Sequence, residues 1–257
     1  MSPLLQTIVD AALAAGAEIE AIYGAGCAAE VKADGSPVTE ADRRAEAIIL
    51  SRLRDAYPDI PVLAEEEACA GRVPEIADTF FCVDPLDGTR GFVERNGEFT
   101  VNIALVEKGR AIAGVIYAPD SHLLYYGAIG EGAFRRRDGS GADPIRARTP
   151  PPQGLTVLAS RTTADATAAR LSHLPVAGFE PSSSSLKFCL LAEGAADLYP
   201  RYGPTMEWDT AAGQAILEAA GGRVMALSGD EEAGPLRYGN ADRGFANPHF
   251  IAWGAAE

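Results

Sequence analysis

The chain has 257 residues, of which 47% are hydrophobic, and a formal net charge of −14. That length suits one large domain or two closely packed halves with a buried core. The charge excludes a nucleic-acid footprint, which needs a basic face, and no apolar run approaches the ~18 residues of a membrane span.

In chain order, Leu4, Leu5, Ile8, Ala12, Ala15, Ile19 and Ile22 recur at helical spacing until Gly24 and Gly26 break the pattern, predicting a first amphipathic helix. The first basic residue is Lys32, so the positive region of a secretory signal is lacking and a cytoplasmic location is expected. A second helix is expected over 39–57, with Ala45, Ile48, Ile49, Leu53 and Ala56 on one face and Pro58 ending it. Its Thr39 and Asp42 fit the helix-capping pattern, which needs no active site. Residues 61–67 form a short apolar run ending in Glu65, Glu66 and Glu67, readable also as a solvated loop. Strands are expected over 99–106, 111–117 and 123–129, with a turn at 107–110, which makes an antiparallel sheet.

The stretch 138–154 is rich in Gly, Pro and charge, and Pro150-Pro151-Pro152 resists helix and central strand. It marks a boundary between an amino-terminal half, 1–145, and a carboxy-terminal half, 146–257. Beyond it the pattern alternates: strand 155–159, helices 164–171, 184–193 and 209–220, then strand 223–227, as in an α/β unit.

The most informative run is Phe81-Cys82-Val83-Asp84-Pro85-Leu86-Asp87-Gly88-Thr89, where an apolar, strand-like segment ends in two carboxylates spaced i, i+3 across a turn. Hard cations such as Mg²⁺ take carboxylate, carbonyl and phosphate oxygens, and exposed N–H groups in a glycine turn receive anions. A two-metal site needs further acids. Asp42, the Glu65 cluster and Asp209 can supply them, although Asp-Pro-x-Asp-Gly is also an ordinary turn and Asp209 a plausible helix N-cap. His122, His173 and His249 are dispersed, which disfavours zinc, and no Ser or Cys lies in a nucleophile elbow. Cys27, Cys69, Cys82 and Cys189 are scattered without a C-x-x-C pair, as for reduced, mostly buried thiols.

Lys32-Ala33-Asp34-Gly35-Ser36-Pro37-Val38-Thr39-Glu40-Ala41-Asp42, the Glu65 cluster, Asp84-Pro85-Leu86-Asp87-Gly88-Thr89 and Trp208-Asp209-Thr210-Ala211-Ala212-Gly213 resemble, in order, the motifs of the inositol monophosphatase-like superfamily of Mg²⁺-dependent, lithium-sensitive phosphatases. Residues 95–105, 184–194 and Tyr199-Pro200-Arg201 resemble its CysQ-type 3′(2′),5′-bisphosphate nucleotidase subgroup. The resemblance implies an αβαβα layered sandwich of the inositol monophosphatase and fructose-1,6-bisphosphatase type, with two packed subdomains and the site between them. It implies two or three Mg²⁺ ions, with Mn²⁺ as a substitute. Glu65, Asp84 and the carbonyl of Leu86 would hold the first, and Asp84, Asp87 and Asp209 the second.

By the same resemblance, Thr89 orients the attacking water with Asp42 behind it, and Gly88 and Thr89 N–H groups receive phosphate oxygens. Substrate contacts are expected from Glu65, Leu86, Asp87, Gly88, Thr89 and Asp209, and nucleotide recognition from Ser184, Ser185, Lys187, Tyr199 and Arg201. A Ser pair can equally cap the helix near Leu186, and Lys187 can be a solvated cation. Ala64, Arg90-Gly91 and the extended run Ser182-Ser183-Ser184-Ser185 depart from the subgroup pattern without removing a proposed metal ligand. The implied substrate is a small phosphorylated nucleotide. An inositol or other polyol phosphate is the nearest alternative, and a noncatalytic metal- or nucleotide-responsive protein is a remote one. Monomer or homodimer, and peripheral association with the cytoplasmic face of the inner membrane, stay open.

Overall fold

The computed structural model describes residues 1–255 except 27, 33, 34, 36, 138, 139, 161, 162 and 183. Cys27, Ala33, Asp34 and Ser36 of the Lys32 motif, Asp138 at the expected boundary and Ser183 of the serine run therefore lie outside the described residues.

Helix α1 (Pro3–Ala25) starts where the Ser2 hydroxyl accepts the Leu5 N–H at 3.3 Å with Pro at its first position, and stops at Gly26, φ 79°. A short hairpin, β1 (Ala29–Val31) and β2 (Pro37–Thr39), leads into α2 (Glu40–Ala56), whose N-terminus is a capping box of Thr39 and Asp42. Strand β3 (Val62–Ala64) and helix α3 (Glu65–Cys69) follow. The three acids thus open a helical turn, not a solvated loop.

Strand β4 (Thr79–Asp87) runs on through Asp84-Pro85-Leu86-Asp87, where the expected turn is instead a register shift between Asp84 and Asp87. The bulge keeps both carboxylates on the strand while aiming them differently. After α4 (Thr89–Val93), a meander of β5 (Thr100–Glu107), β6 (Arg110–Ala118), β7 (Leu123–Ala128), β8 (Gly132–Arg137) and β9 (Ala142–Ile145) completes a sheet ordered β3-β4-β5-β6-β7-β8-β9. Strand β9 falls inside the Gly/Pro/charge-rich stretch read as boundary; Pro144 is tolerated because β9 is an edge.

The second sheet, ordered β11-β10-β12-β15-β13-β14, comprises β10 (Leu155–Ala159), β11 (Val176–Pro181), β12 (Leu198–Arg201), β13 (Arg223–Ser228), β14 (Glu231–Pro235) and β15 (Phe250–Trp253). Helices α5 (Ala164–Arg170), α6 (Leu186–Ala192) and α7 (Glu207–Ala219) complete the chain. Helix α7 begins two residues before Asp209, which lies in its first turn and not at the cap.

Strands β5 and β6 are buried on both faces, which explains their near-continuous apolar sequence. Val101, Ile103, Val115 and Tyr117 pack with Leu5, Ile8, Ile19 and Ile49 of α1 and α2. Ala104, Val106 and Ile116 face a core shared with Phe188, Ala212, Ile216, Leu158 and Phe250 of α6, α7 and the second sheet. Leu171, at the end of α5, joins Val157, Leu198 and Ile251 on that sheet's far side. The layers therefore read αβαβα. Among the described residues no helix is long and apolar enough to cross a membrane.

The seam between β6 and α7 is a backbone-to-backbone contact: a Cβ on Gly114 would lie 2.5 Å from the Ala212 carbonyl oxygen and 2.9 Å from its Cα. Backbone cannot yield as a side-chain tip can. Gly114→Ala should lower stability by about 2–3 kcal/mol in urea denaturation, with an unchanged m-value.

Candidate active site

The β4 bulge and the first turns of α2, α3, α4 and α7 bring the expected acids together. Asp84 is buried and accepts the Leu86 N–H at Oδ1, 3.0 Å. Asp209 Oδ2 accepts the Met206 N–H at 2.8 Å, and Asp87 Oδ2 accepts the Ser185 N–H at 2.8 Å. Glu65 and Asp84 share a hydrogen bond. Burial, then Glu65, Asp87 and Asp209, hold the Asp84 carboxyl well above its ordinary range. Loss of hydration, then Asp87, does the same to Asp209.

These acids are neighbours but not a closed cage. Among the described residues no three acidic, His or Cys side chains converge on a single point. Lys32 stands beside them, its Nζ donating to Glu65 Oε1 and Glu66 Oε1, both at 2.6 Å. Burial opposes the charge on Lys32, but the two glutamates raise its pKa. The donor set is nonetheless all oxygen, with like charges crowded together, and fits a hard divalent cation.

Thr89 Oγ1 lies 2.9 Å from Asp42 Oδ1 and 3.1 Å from the Leu86 carbonyl oxygen. A hydroxyl has one proton, so donation to Asp42 frees the Leu86 carbonyl for another partner. Asp42 Oδ2 also accepts the N–H and hydroxyl of Thr39, both at 2.7 Å, so capping and contact with Thr89 coexist in one carboxylate. Burial raises the Asp42 pKa, opposed by these bonds. Gly88 is left-handed, φ 91°, and a Cβ there would meet the Glu98 carbonyl oxygen at 2.6 Å. Glycine is required. The N–H groups of the turn that follows have no acceptor within their own helix.

Lys187 is buried, not solvated; its Nζ donates to the Ser184 carbonyl at 3.1 Å and lies 5.0 Å above the Tyr199 ring. Burial pulls its pKa down to about 8, with Asp87 opposing and Arg201 assisting. Arg201 Nη2 donates to the Pro204 carbonyl at 2.9 Å. Lys187 and Arg201 line a cavity of about 120 Å³ with Asp87, Ser184 and Asp209. A second cavity of about 720 Å³, walled by Met206, Trp208 and Phe245, shares Asp209 and reaches Glu65. The Ser185 hydroxyl is bonded to Thr100 and Asn102.

Sequence reasoning missed Lys32 as a partner of Glu65, and it missed Glu46 and Glu207. Glu207 is buried and accepts the N–H groups of Gly239 at 2.6 Å and Asn240 at 2.9 Å, seating the start of α7. Glu46 accepts the Glu66 N–H at 2.8 Å and so caps α3, which carries Glu65. The signal was present: Glu46 stands four residues after Asp42, on the same helix face.

Burial pushes the Glu46 carboxyl from 4.5 up to about 7. The folded protein then holds an extra proton between those values, so stability falls as pH rises through that window. Glu46→Gln keeps an acceptor for the Glu66 N–H without ionising. In cation-free buffer its melting midpoint should match the parent's at pH 5 and exceed it by about 2 °C or more at pH 8.

The description of the inositol monophosphatase family matches residues 1–254. A 3′(2′),5′-bisphosphate nucleotidase CysQ of Salmonella typhimurium is 43% identical over 250 residues, covering 96% of this chain and 98% of the relative. Its counterpart from Escherichia coli K12 is 45% identical over 221 residues, covering 85% and 86%. Among solved structures, CysQ from Bacteroides thetaiotaomicron superposes with a TM-score of 0.78 at 38% identity, covering 98% of this chain and 97% of that one. An inositol monophosphatase from Anabaena gives 0.74 at 29%, covering 98% and 90%. Sequence, layered fold and the acids gathered at the β4 bulge agree, and the chain belongs to the inositol monophosphatase family.

Proposed function

We propose that the chain is a divalent-cation-dependent phosphoric monoester hydrolase that releases the 3′(2′)-phosphate of 3′(2′),5′-bisphosphate nucleotides. The observation that carries the substrate class is the pair Lys187 and Arg201, lining one cavity with Asp87 and Asp209. At about 120 Å³ that cavity is well below the ~300 Å³ of a drug-sized ligand site, so it suits one phosphoryl group, with the nucleoside outside it. Two cations beside it suit a second phosphate, which a polyol monophosphate lacks. The names carried by the CysQ relatives support the same reading.

Glu65, Asp84, Asp87, Asp209 and the Leu86 carbonyl would hold the cation, and an oxygen set suits Mg²⁺, with Mn²⁺ as a substitute. When bound, it supplies a Lewis acid that acidifies a water and neutralises phosphoryl charge. The chain's own groups orient the reaction. Thr89 gives its proton to Asp42 Oδ1, which leaves the Thr89 oxygen to accept from, and so aim, the attacking water. The N–H groups of Gly88 and Thr89 receive phosphoryl oxygens. In this reading 1–145 supplies the nucleophile side and 146–257 supplies Asp209, Lys187 and Arg201. Cys82 and Cys189 are buried thiols, which suits the reducing cytoplasm, whereas Cys69 is exposed.

Phosphate release should be measured with Mg²⁺ from 3′-phosphoadenosine 5′-phosphate and from inositol 1-phosphate, with Asp84→Asn as the blank. We expect kcat/KM at least ~10-fold higher for the nucleotide, and Lys187→Met to raise its KM without a matching effect on the monophosphate. A preference for inositol phosphate would overturn the substrate class. Asp42→Asn tests the oxygen path: the melting midpoint should fall by the equivalent of ~1 kcal/mol for the cap, and kcat should fall at least ~10-fold. A fall in the midpoint alone would leave Asp42 only its cap.

A further inference from the structure

Asp87 is gripped from the carboxy-terminal half of the chain. Its Oδ2 accepts the Ser185 N–H at 2.8 Å and the Ser184 hydroxyl. Behind these two serines, Thr100 Oγ1 lies 3.0 Å from Ser184 Oγ and 2.7 Å from Ser185 Oγ, and the Ser185 hydroxyl donates to Asn102 Oδ1 at 2.8 Å. Thr100 and Asn102 are 0% exposed and Ser185 2%. Across the β4–β5 ladder, Thr100 is the register partner of Asp87 and Asn102 that of Asp84. The two residues opposite the two carboxylates, on one face of β5 by the strand's period of two, thus meet the start of α6.

We infer that Thr100, Asn102 and Ser185 are positioning residues that hold Asp87 for cation binding; this rests on the phosphatase reading above. A carboxylate at a strand end, just before a left-handed glycine, has two free torsions. Here one of its oxygens is fixed by two donors, which leaves the other oxygen and the remaining lone pairs for a cation. Ser184 spends its proton on Asp87 and Ser185 spends its on Asn102, so the single Thr100 proton goes to one of the two serines, and Ser184 is the hydroxyl that ends on the carboxylate. Ser184 adopts φ 55°, a left-handed conformation costly for a residue with a Cβ. In that conformation its hydroxyl reaches Asp87 while its carbonyl accepts Lys187 Nζ. Groups that orient a metal's ligands typically change metal affinity 10–100-fold when removed.

The bland role, docking α6 onto β5, predicts lost stability and an unaltered cation affinity. Calorimetric titration of the full chain with Mn²⁺ alone, without substrate, separates the two. Thr100→Val, nearly isosteric but without a hydroxyl, should bind Mn²⁺ about 10-fold more weakly, with a melting midpoint within ~3 °C of the parent. Thr100→Ser should restore the affinity to within about 2-fold. Ser185→Ala keeps the backbone N–H and should weaken binding in the same direction; it decides the question if Thr100→Val does not fold. Parent affinity in these variants, while Asp87→Asn loses binding, overturns the positioning role and leaves the cation site intact. Parent affinity in Asp87→Asn as well overturns the cation-site reading and this inference with it. Failure of both Thr100→Val and Ser185→Ala to fold makes the network a folding element and also overturns the inference.

Discussion

Repulsion among Glu65, Asp84, Asp87 and Asp209 is the constraint around which the rest of the molecule is arranged. Beyond what loss of water does, Glu65, Asp87 and Asp209 raise the pKa of Asp84, and Asp87 and Glu65 raise that of Asp209. Like charges about 4 Å apart repel by about 4 kcal/mol even in a medium of effective dielectric about 20. Four such groups stay close only if each is held by donors that cannot retreat. The donors are mostly backbone N–H groups of rigid elements: Leu86 for Asp84, Met206 for Asp209 and Ser185 for Asp87. Fixed dipoles, unlike long cationic side chains, compensate charge without covering the oxygens that a ligand must reach.

The helices serve that arrangement more than their own stability. Helix α2 presents Asp42 and Glu46 on one face, the first tying its own N-terminus to Thr89 of α4, the second capping α3. Two carboxylates one turn apart thereby set the relative placement of Thr89 and Glu65. On the other side α7, seated by Glu207, crosses between the sheets so tightly that β6 must carry Gly114 beneath Ala212. Asp209 inherits its position from that seam.

How far the sequence revealed this depended on the range of the interaction. Periodicity located α1, α2 and the β5–β7 meander, because apolar repeats of 3.6 and 2 report local burial directly. Thr39 with Asp42 announced a cap and is one. Residues 81–89 pointed to the β4 bulge but read as a turn, since Pro, Asp and Gly favour either and only pairing with β5 decides. Strand β8 was hidden by the charged run Arg135, Arg136 and Arg137, and β9 by Pro144, which is tolerated because β9 is the edge. Thr100 and Asn102 were invisible as partners of Asp87. Polar residues in an apolar strand are a signal, but their hydroxyl and amide partners lie more than eighty residues away in sequence, and no spacing rule reaches that far.

A net charge of −14 and a polyanionic substrate are reconciled by the same repulsion. In the proposed reading the charge that matters to a phosphate is local, and divalent cations held among the acids would present positive charge to its oxygens at the reacting end. At the other end Lys187 and Arg201 supply fixed positive charge, with Lys187 desolvated far enough that its ammonium is weakened and gains most from an anionic partner. Cation and anion relieve opposite strains in one cleft. In the proposed reading each would bind the folded chain and not the unfolded one and so stabilise the fold by mass action, turning the repulsion of the isolated protein into affinity for its ligands.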